Sequence, residues 1–332
     1  MRTSVLTTNL RKIGIDIAKD FFDVALLLEG KSKHKIFSNT SEGMEQLGEW
    51  LAKQGMDKVH GCLEATGRYG EAVAEWLYEQ GHTVSIVNPA CIKAFGQSKL
   101  SRNKTDKGDC QLIAQYCQQN QPPAWSPSPP EVRQLQALIR QLESVQNLRQ
   151  TEVNRLNSLI KQDCVVQLLE QHIAFLDGQI EQIKQLLTEL IDTHQNLKEQ
   201  QELLLSIPSV GELTAAKLLA EEIGTYESVR QVSAHAGVTP RQQISGSSVR
   251  GKTRLCKTGN AQLRKALYMP AMSARRFNPV IKAFCDRLLE RGKAKRAIIC
   301  AAMHKLLCLA YGVLRSGKPF DADYAKKILA TP

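Results

Sequence analysis

Four carboxylates stand where an acidic side chain is awkward unless it does chemistry. They are Asp16 in GIDIAKD, Glu64 in CLEATG, and Asp106 with Asp109 in NKTDKGD. Asp16 closes the short apolar start Ile13-Gly14-Ile15 and precedes the apolar run from Val24 to Leu28. Glu64 ends a segment that begins at Val59. Asp106 and Asp109 are three apart at the start of a helical pattern, so both can point to one face of its first turn. Carboxylates gathered from separate elements repel one another unless a divalent cation neutralises them. Hard oxygen ligands of this kind suit Mg2+ or Mn2+, and a two-metal site cuts phosphodiesters.

A second constellation lies between Ala236 and Ala271. Ser245, Ser247 and Ser248 surround Gly246, and the same loop holds Arg241, Arg250, Lys252, Arg254 and Lys257. A serine hydroxyl is a poor nucleophile until a base or metal activates it. Clustered guanidiniums stabilise charge growing on a phosphate under attack. The residues alone leave two readings open, a serine that attacks phosphorus or a Ser/Gly-rich loop whose cations grip DNA. Lys104, beside the Asp106 pair, and Arg264 are further candidate nucleic-acid contacts.

The elements that must position these groups fall into three stretches. Strand-like runs lie at Lys12–Asp16, Phe22–Leu28, Lys35–Phe37, Val59–Leu63 and Thr83–Val87, and helical patterns at Ser41–Gln54, Gly70–Gln80 and Asp109–Gln118. That order predicts an α/β domain with a mixed sheet and helices on its faces, the arrangement of an RNase H-like fold. Asp16 and Glu64 then sit at the carboxyl ends of two strands, where open α/β sheets place their sites. The run Pro122–Pro130 (PPAWSPSPP) predicts a boundary or semi-rigid linker.

Beyond it, Leu135, Leu138, Leu142 and Val145, then Leu169, Ile173, Leu176, Ile180, Ile183, Leu187 and Leu190, form heptad seams. They predict a coiled coil that folds back near Gln162–Cys164 or pairs with a second copy, with dimerisation the expected use. The final block is expected to be mainly α-helical. It opens with LLLSIPSVGELTAAKLLAEEIG, where Pro208 and Gly211 separate two apolar helical patterns as in a helix-hairpin-helix. Backbone N–H groups around Gly211 would hold a DNA phosphate there. The expected domains are residues 1–125, 126–200 and 201–332.

Composition supports a polyanion partner. The net charge is +11, but from Leu205 to Pro332 there are 22 Lys and Arg against 8 Asp and Glu, while the first 204 residues carry 22 against 25. No acidic residue lies between Glu227 and Asp286. Phosphate contacts dominate nucleic-acid affinity, and these cations sit in Gly/Ser-containing turns, not along one amphipathic stripe as membrane-surface helices require. Nine cysteines without a C-x-x-C pair predict reduced, mostly buried thiols and no zinc ribbon. The seven His are scattered without ligand spacing and predict surface or helix residues. Neither an apolar run of about 18–20 residues nor the apolar core of a signal peptide is found, which predicts a soluble, intracellular (cytoplasmic) protein.

GIDIAKD, LEATG, the NPA at Asn88–Ala90, RNKTDKGD, SIPSVG, GVTPR followed by SGSSVRG, and KTGNAQLRKALYMPA together resemble the DEDD transposases of the insertion-sequence one-ten family. That family is similar to the Piv DNA invertases, and its members are guided by a bridge RNA. The resemblance spans essentially the whole chain and implies a RuvC-like N-terminal domain, a coiled coil, and a C-terminal transposase domain with a nucleophilic serine. Carried over residue by residue, the acidic tetrad falls on Asp16, Glu64, Asp106 and Asp109, and the serine before glycine on Ser245, with Ser247 and Ser248 as neighbouring alternatives. The sequence departs from the pattern at Cys256, where Ser is commoner, and at Cys110, where a small Ala commonly follows the last Asp.

The expectation is therefore an RNA-guided recombinase acting on donor and target DNA as a dimer or tetramer, with Mg2+ or Mn2+ held by the tetrad. Ser245 would form a covalent phosphoserine with DNA, acting with the tetrad within one chain or across two. A structure-specific nuclease of the Holliday-junction type, with water as nucleophile, is the second expectation. A non-catalytic nucleic-acid scaffold is the third.

Overall fold

The computed structural model describes residues 10–65, 67–99, 105–158, 163–242, 244–245, 249–251 and 254–323. They form two compact units, Met1–Ser128 and Pro129–Pro332.

The first unit is a five-stranded sheet with helices on both faces. Its elements in chain order are β1 (Arg11–Ile17), β2 (Phe21–Leu28), β3 (Lys31–Ser38), α1 (Ser41–Lys53), β4 (Val59–Glu64), α2 (Glu71–Glu79), β5 (Thr83–Val87), α3 (Pro89–Ser98) and α4 (Asp106–Asn120). The strand order is β3-β2-β1-β4-β5. β2 runs antiparallel to both β1 and β3, while β1, β4 and β5 are parallel. This is the mixed sheet expected from the sequence.

The period-two alternation of side chains gives the sheet two unlike faces. One presents Ile13, Ile15, Phe22, Val24, Leu26, Phe37 and Leu63, packed with Met44, Leu47 and Leu51 of α1 and Val73, Ala74 and Leu77 of α2. The registers place Lys12, Gly14 and Asp16, then Asp23, His34, His60, Cys62, Glu64 and Ser85, on the opposite face. There α4 buries Cys110, Ile113, Ala114 and Cys117. The polar face is the one that holds the candidate site residues of this unit.

Two elements differ from expectation. β3 reaches from Lys31 to Ser38, because a lysine-rich edge strand meets water and shows no clean apolar alternation. α3, absent from the sequence reading, is started by Asn88, whose side chain accepts the Ala90 N–H at 2.8 Å, with Pro89 in the first turn. Trp125, within the proline-rich run, pairs with Val84 and packs edge-on against Tyr78.

The second unit is mainly helical: α5 (Pro130–Ser158), α6 (Asp163–Thr193), α7 (Gln195–Leu205), α8 (Glu212–Ala220), α9 (Val229–His235), then β6 (Pro240–Arg241), β7 (Ile244–Ser245), β8 (Val249–Arg250) and β9 (Arg254–Leu255), and α10 (Ala261–Phe277), α11 (Pro279–Glu290) and α12 (Lys295–Ser316). Arg149 pairs with Asp177, and Glu152 lies 3.8 Å from His172, so α5 and α6 run antiparallel. Leu135, Ile139, Leu142 and Val145 bury against Leu176, Ile180, Ile183, Leu187 and Leu190, in one core with α7, α8, α10 and α12.

Among the described residues α12 alone is long and apolar enough to cross a membrane by composition. It buries Ile298, Ala302, Met303, Leu306, Leu307, Ala310 and Val313 inside this unit, as a core helix does.

Candidate functional site

Asp16 and Glu64 each stand one residue past the last register pair of β1 and β4, Ile15 with Leu63. Their carboxylates therefore emerge side by side at the ends of two parallel strands. Asp106 and Asp109 occupy the first turn of α4, which Thr105 starts by accepting the Gly108 N–H at 3.1 Å.

What brings that helix to the strand is Gly14. A Cβ there would overlap the carbonyl oxygen of Cys110 and the backbone nitrogen of Ala114, so only glycine admits α4 this close to β1. Asp109 directly precedes Cys110, and Asp16 lies two residues beyond Gly14 on the same face of the strand.

The sequence reading missed a fifth acid. Asp23 of β2 is the register partner of Asp16 across the antiparallel pair, is almost fully buried, and lies 2.6 Å from His34 Nε2 of β3. Its clue was a lone acid inside the apolar strand FFDVALLL. His34 is correspondingly no scattered surface histidine. Neither is His60, which is buried, shares a hydrogen bond with Ser85 at 2.8 Å and lies 3.3 Å from Lys12 Nζ. Both were hidden because strand partners are distant in sequence.

The acids act on one another electrostatically. Burial first, then the charges of Asp109 and Asp106, raise the Asp16 pKa above the ordinary carboxylate value, and Asp23 adds to the effect. Burial, then Asp23 and Asp16, push the Cys110 thiol up to about 12. Cys62, two residues before Glu64, is likewise pushed up by its hydrogen bond with Cys117 and by burial. All nine cysteines are free; Cys62, Cys110, Cys117 and Cys285 are buried, whereas Cys91 and Cys164 are exposed.

Oxygen donors with an excess of negative charge fit a hard divalent cation. Among the described residues, however, no three Asp, Glu, His or Cys side chains close into a ligand cluster. Asp109, Asp106 and Asp23 lie near enough to Asp16 to act on its charge.

The remaining sites lie elsewhere. Asn88 caps α3 and Tyr69 is exposed beside the turn Arg68–Gly70. In the second unit Ser245 and Val249 pair across the two-residue strands β7 and β8, as do Ile244 and Arg250. Arg241 and Arg254 are register partners of β6 and β9, so two cations face each other on an exposed ribbon. Lys257 has a left-handed backbone, φ 59°, and its N–H bonds to Gly237.

Arg264 is anchored through one guanidinium nitrogen. Its guanidinium donates to the Ala236 carbonyl at 3.1 Å, because the turn before it needs that carbonyl satisfied. Gly211 heads α8 with open space around it, next to Ser209 at φ 85°. Lys104, Lys252, Ser247 and Ser248 lie outside the described residues.

Comparison with known proteins shows the family of the chain. Residues 13–165 match the transposase family model DEDD_Tnp_IS110, and residues 201–286 match the transposase model of the IS116/IS110/IS902 family. The pilin gene-inverting proteins of Moraxella bovis and Moraxella lacunata are each 34% identical over 93% of this chain and 97% of their own. The transposase for insertion sequence element IS1111A of Coxiella burnetii is 23% identical over 89% of this chain and 87% of its own. Among solved structures, T. thermophilus RuvC in complex with a Holliday junction substrate aligns at 11% identity and a TM-score of 0.27, over 35% of this chain and all of that one. With two family models spanning most of its length and full-length relatives at one-third identity, the chain belongs to the IS116/IS110/IS902 family of transposases.

Proposed function

We propose that the protein cuts and rejoins DNA strands as a site-specific recombinase, with Asp16, Glu64, Asp106 and Asp109 forming its metal-dependent carboxylate site and Ser245 its nucleophile. The observation that carries this reading is the docking of the first turn of α4, with Asp106 and Asp109, against the end of β1 at Asp16; burial first, and then those two charges, raise the Asp16 pKa. A structural acid cluster has no reason to maintain such repulsion, whereas a divalent cation relieves it. Mg2+ or Mn2+, held by the four carboxylates, would polarise the scissile phosphate and stabilise its added negative charge.

The chain's own groups do the rest. The Ser245 hydroxyl attacks phosphorus, the P–O bond to the leaving deoxyribose oxygen breaks, and that oxygen takes up the proton the serine gives up. One phosphodiester is exchanged for a phosphoserine ester, so the bond energy is kept for rejoining when a second DNA hydroxyl attacks. Arg241, Arg250, Lys252, Arg254 and Lys257 hold the phosphates around that exchange. The facing Arg241 and Arg254 support this role, since an anion between them relieves their repulsion. Gly211, in a helix-hairpin-helix-like turn, would admit a phosphate close to the backbone.

The relatives named for inverting a pilin gene support DNA rearrangement as the reaction class. Target and donor would be chosen by a bridge RNA held on the basic surfaces of the second unit, in a dimer or tetramer with domains at residues 1–125, 126–200 and 201–332.

A suicide DNA substrate tests the chemistry. Wild type should form a covalent protein–DNA adduct, and Ser245→Ala should bind DNA yet form none. A cleaved product without adduct would identify water as the nucleophile and replace this reading with a hydrolytic nuclease. Sequencing small RNA that co-purifies with the protein tests the guide, and absence of any enriched RNA refutes it.

A further inference from the structure

Helix α10 carries more exposed apolar surface than its packing requires. Its inner face buries Leu263, Leu267, Pro270, Ala271 and Ala274. Its outer face leaves Met269 66%, Met272 41% and Phe277 70% exposed. Met269, Met272 and Arg276 follow the three- and four-residue spacing of one helix face, and with Phe277 they form one wall of a groove of about 720 Å³. Lys282 and Asp286 of α11 and Ile299 of α12 close its other sides.

The groove is cationic as well as apolar. Arg275, Arg276 and Lys282 line it against the single carboxylate of Asp286, and none of the three is ion-paired among the described residues. Arg296 stands three residues before Ile299, on the same side of α12.

A wall of thioether and aromatic surface beside unpaired cations is complementary to a ligand with flat apolar faces and a chain of anions. Unpaired nucleotides have that combination: bases stack on aromatic and sulfur-bearing side chains while phosphates meet Arg and Lys. A duplex hides its base faces and would leave the apolar wall unused. Strand exchange supplies that ligand as unpaired DNA, and oligouridylate serves as the RNA counterpart in the test. We infer that this groove binds an unpaired DNA strand, with Phe277 and the two methionines under the bases and Arg276 and Lys282 on the phosphates. The inference rests on the recombinase reading, since strand exchange passes through unpaired ends that must be held.

The full-length protein is tested by fluorescence anisotropy with labelled oligothymidylate, the same strand in duplex, and oligouridylate. Phe277→Ala, at an exposed position and checked for folding by circular dichroism, should weaken oligothymidylate binding about tenfold, the scale of one lost stacking contact, and leave duplex affinity unchanged. Arg276→Gln should weaken both. Photocrosslinking with 5-bromodeoxyuridine should mark the peptide containing residues 269–282. Unchanged affinity in Phe277→Ala, a crosslink elsewhere, an equal loss on duplex, or tighter binding of oligouridylate would each overturn the inference. Asp16→Asn separates it from the catalytic proposal. That variant should retain oligothymidylate binding while losing cleavage, so a wild type that binds through the groove but never cuts DNA refutes the recombinase reading alone. A wild type that cuts while Phe277→Ala changes nothing refutes the groove alone.

Discussion

Gly14 of β1 lies so close to Cys110 of α4 that a single added methyl would overlap the Cys110 carbonyl oxygen. That contact sets the distance between Asp16, two residues further along the strand, and Asp109, one residue earlier in the helix. Substituting Gly14→Ala should therefore push α4 outward. The expected loss is about 1–3 kcal/mol of unfolding free energy, the usual cost of overpacking, with metal-dependent DNA cleavage falling further than stability does. Urea unfolding measures the first and a cleavage assay the second. Wild-type behaviour in both would mean that α4 is not held by this contact.

Asp16 gives a signed pH dependence. The fold raises its pKa from the ordinary 3.8, through burial first and then Asp109 and Asp106. The folded protein binds that proton more tightly than the unfolded chain does. The stabilisation from this group is thus complete below the ordinary value and is lost as pH rises through the raised one. In EDTA, Asp16→Asn should melt above wild type at neutral pH, and the gap should close on acidification. Added magnesium should raise the Tm of wild type only. A variant that melts lower than wild type at neutral pH contradicts this.

Asp23 and His34 form a pair whose acid side chain is 4% exposed. Removing the imidazole leaves a carboxylate buried beside Asp16 without its partner. His34→Ala should cost about 1–3 kcal/mol, and adding Asp23→Asn should recover part of it, which a double-mutant cycle reads directly. Strict additivity would show that the two do not interact.

The helical hairpin offers a packing test. Leu142 of α5 is fully buried, whereas Leu138 is only partly so. Leu142→Ala should lower stability by about 2–5 kcal/mol, and Leu138→Ala by clearly less. Equal losses measured by thermal unfolding would contradict the packing of α5 on α6 through Leu142.

Much of the first unit was legible in the chain itself. Short apolar runs at Ile13–Ile15 and Phe22–Leu28 specified strands, the pattern over Ser41–Gln54 a helix, and acids at strand ends and a helix start the candidate site. These are local signals, carried by side-chain period and by residues whose cost is visible in place. The heptad pattern likewise gave two long helices. It left open what each would pair with, because Leu and Ile pack equally well against a neighbour in the same chain or in another copy; within the chain the two helices pack as an antiparallel hairpin.

What only tertiary structure decided was pairing across distance. Asp23 reads as an anomaly in an apolar strand until the β1–β2 register sets it opposite Asp16. Gly14 reads as an ordinary small residue until α4, nearly a hundred positions later, lands on it. Arg264 reads only as one more cation until the fold shows one of its guanidinium nitrogens anchored on the Ala236 carbonyl. Sequence fixes side-chain chemistry and period, but register and helix docking depend on the summed packing of elements far apart in the chain, and no local pattern encodes that sum.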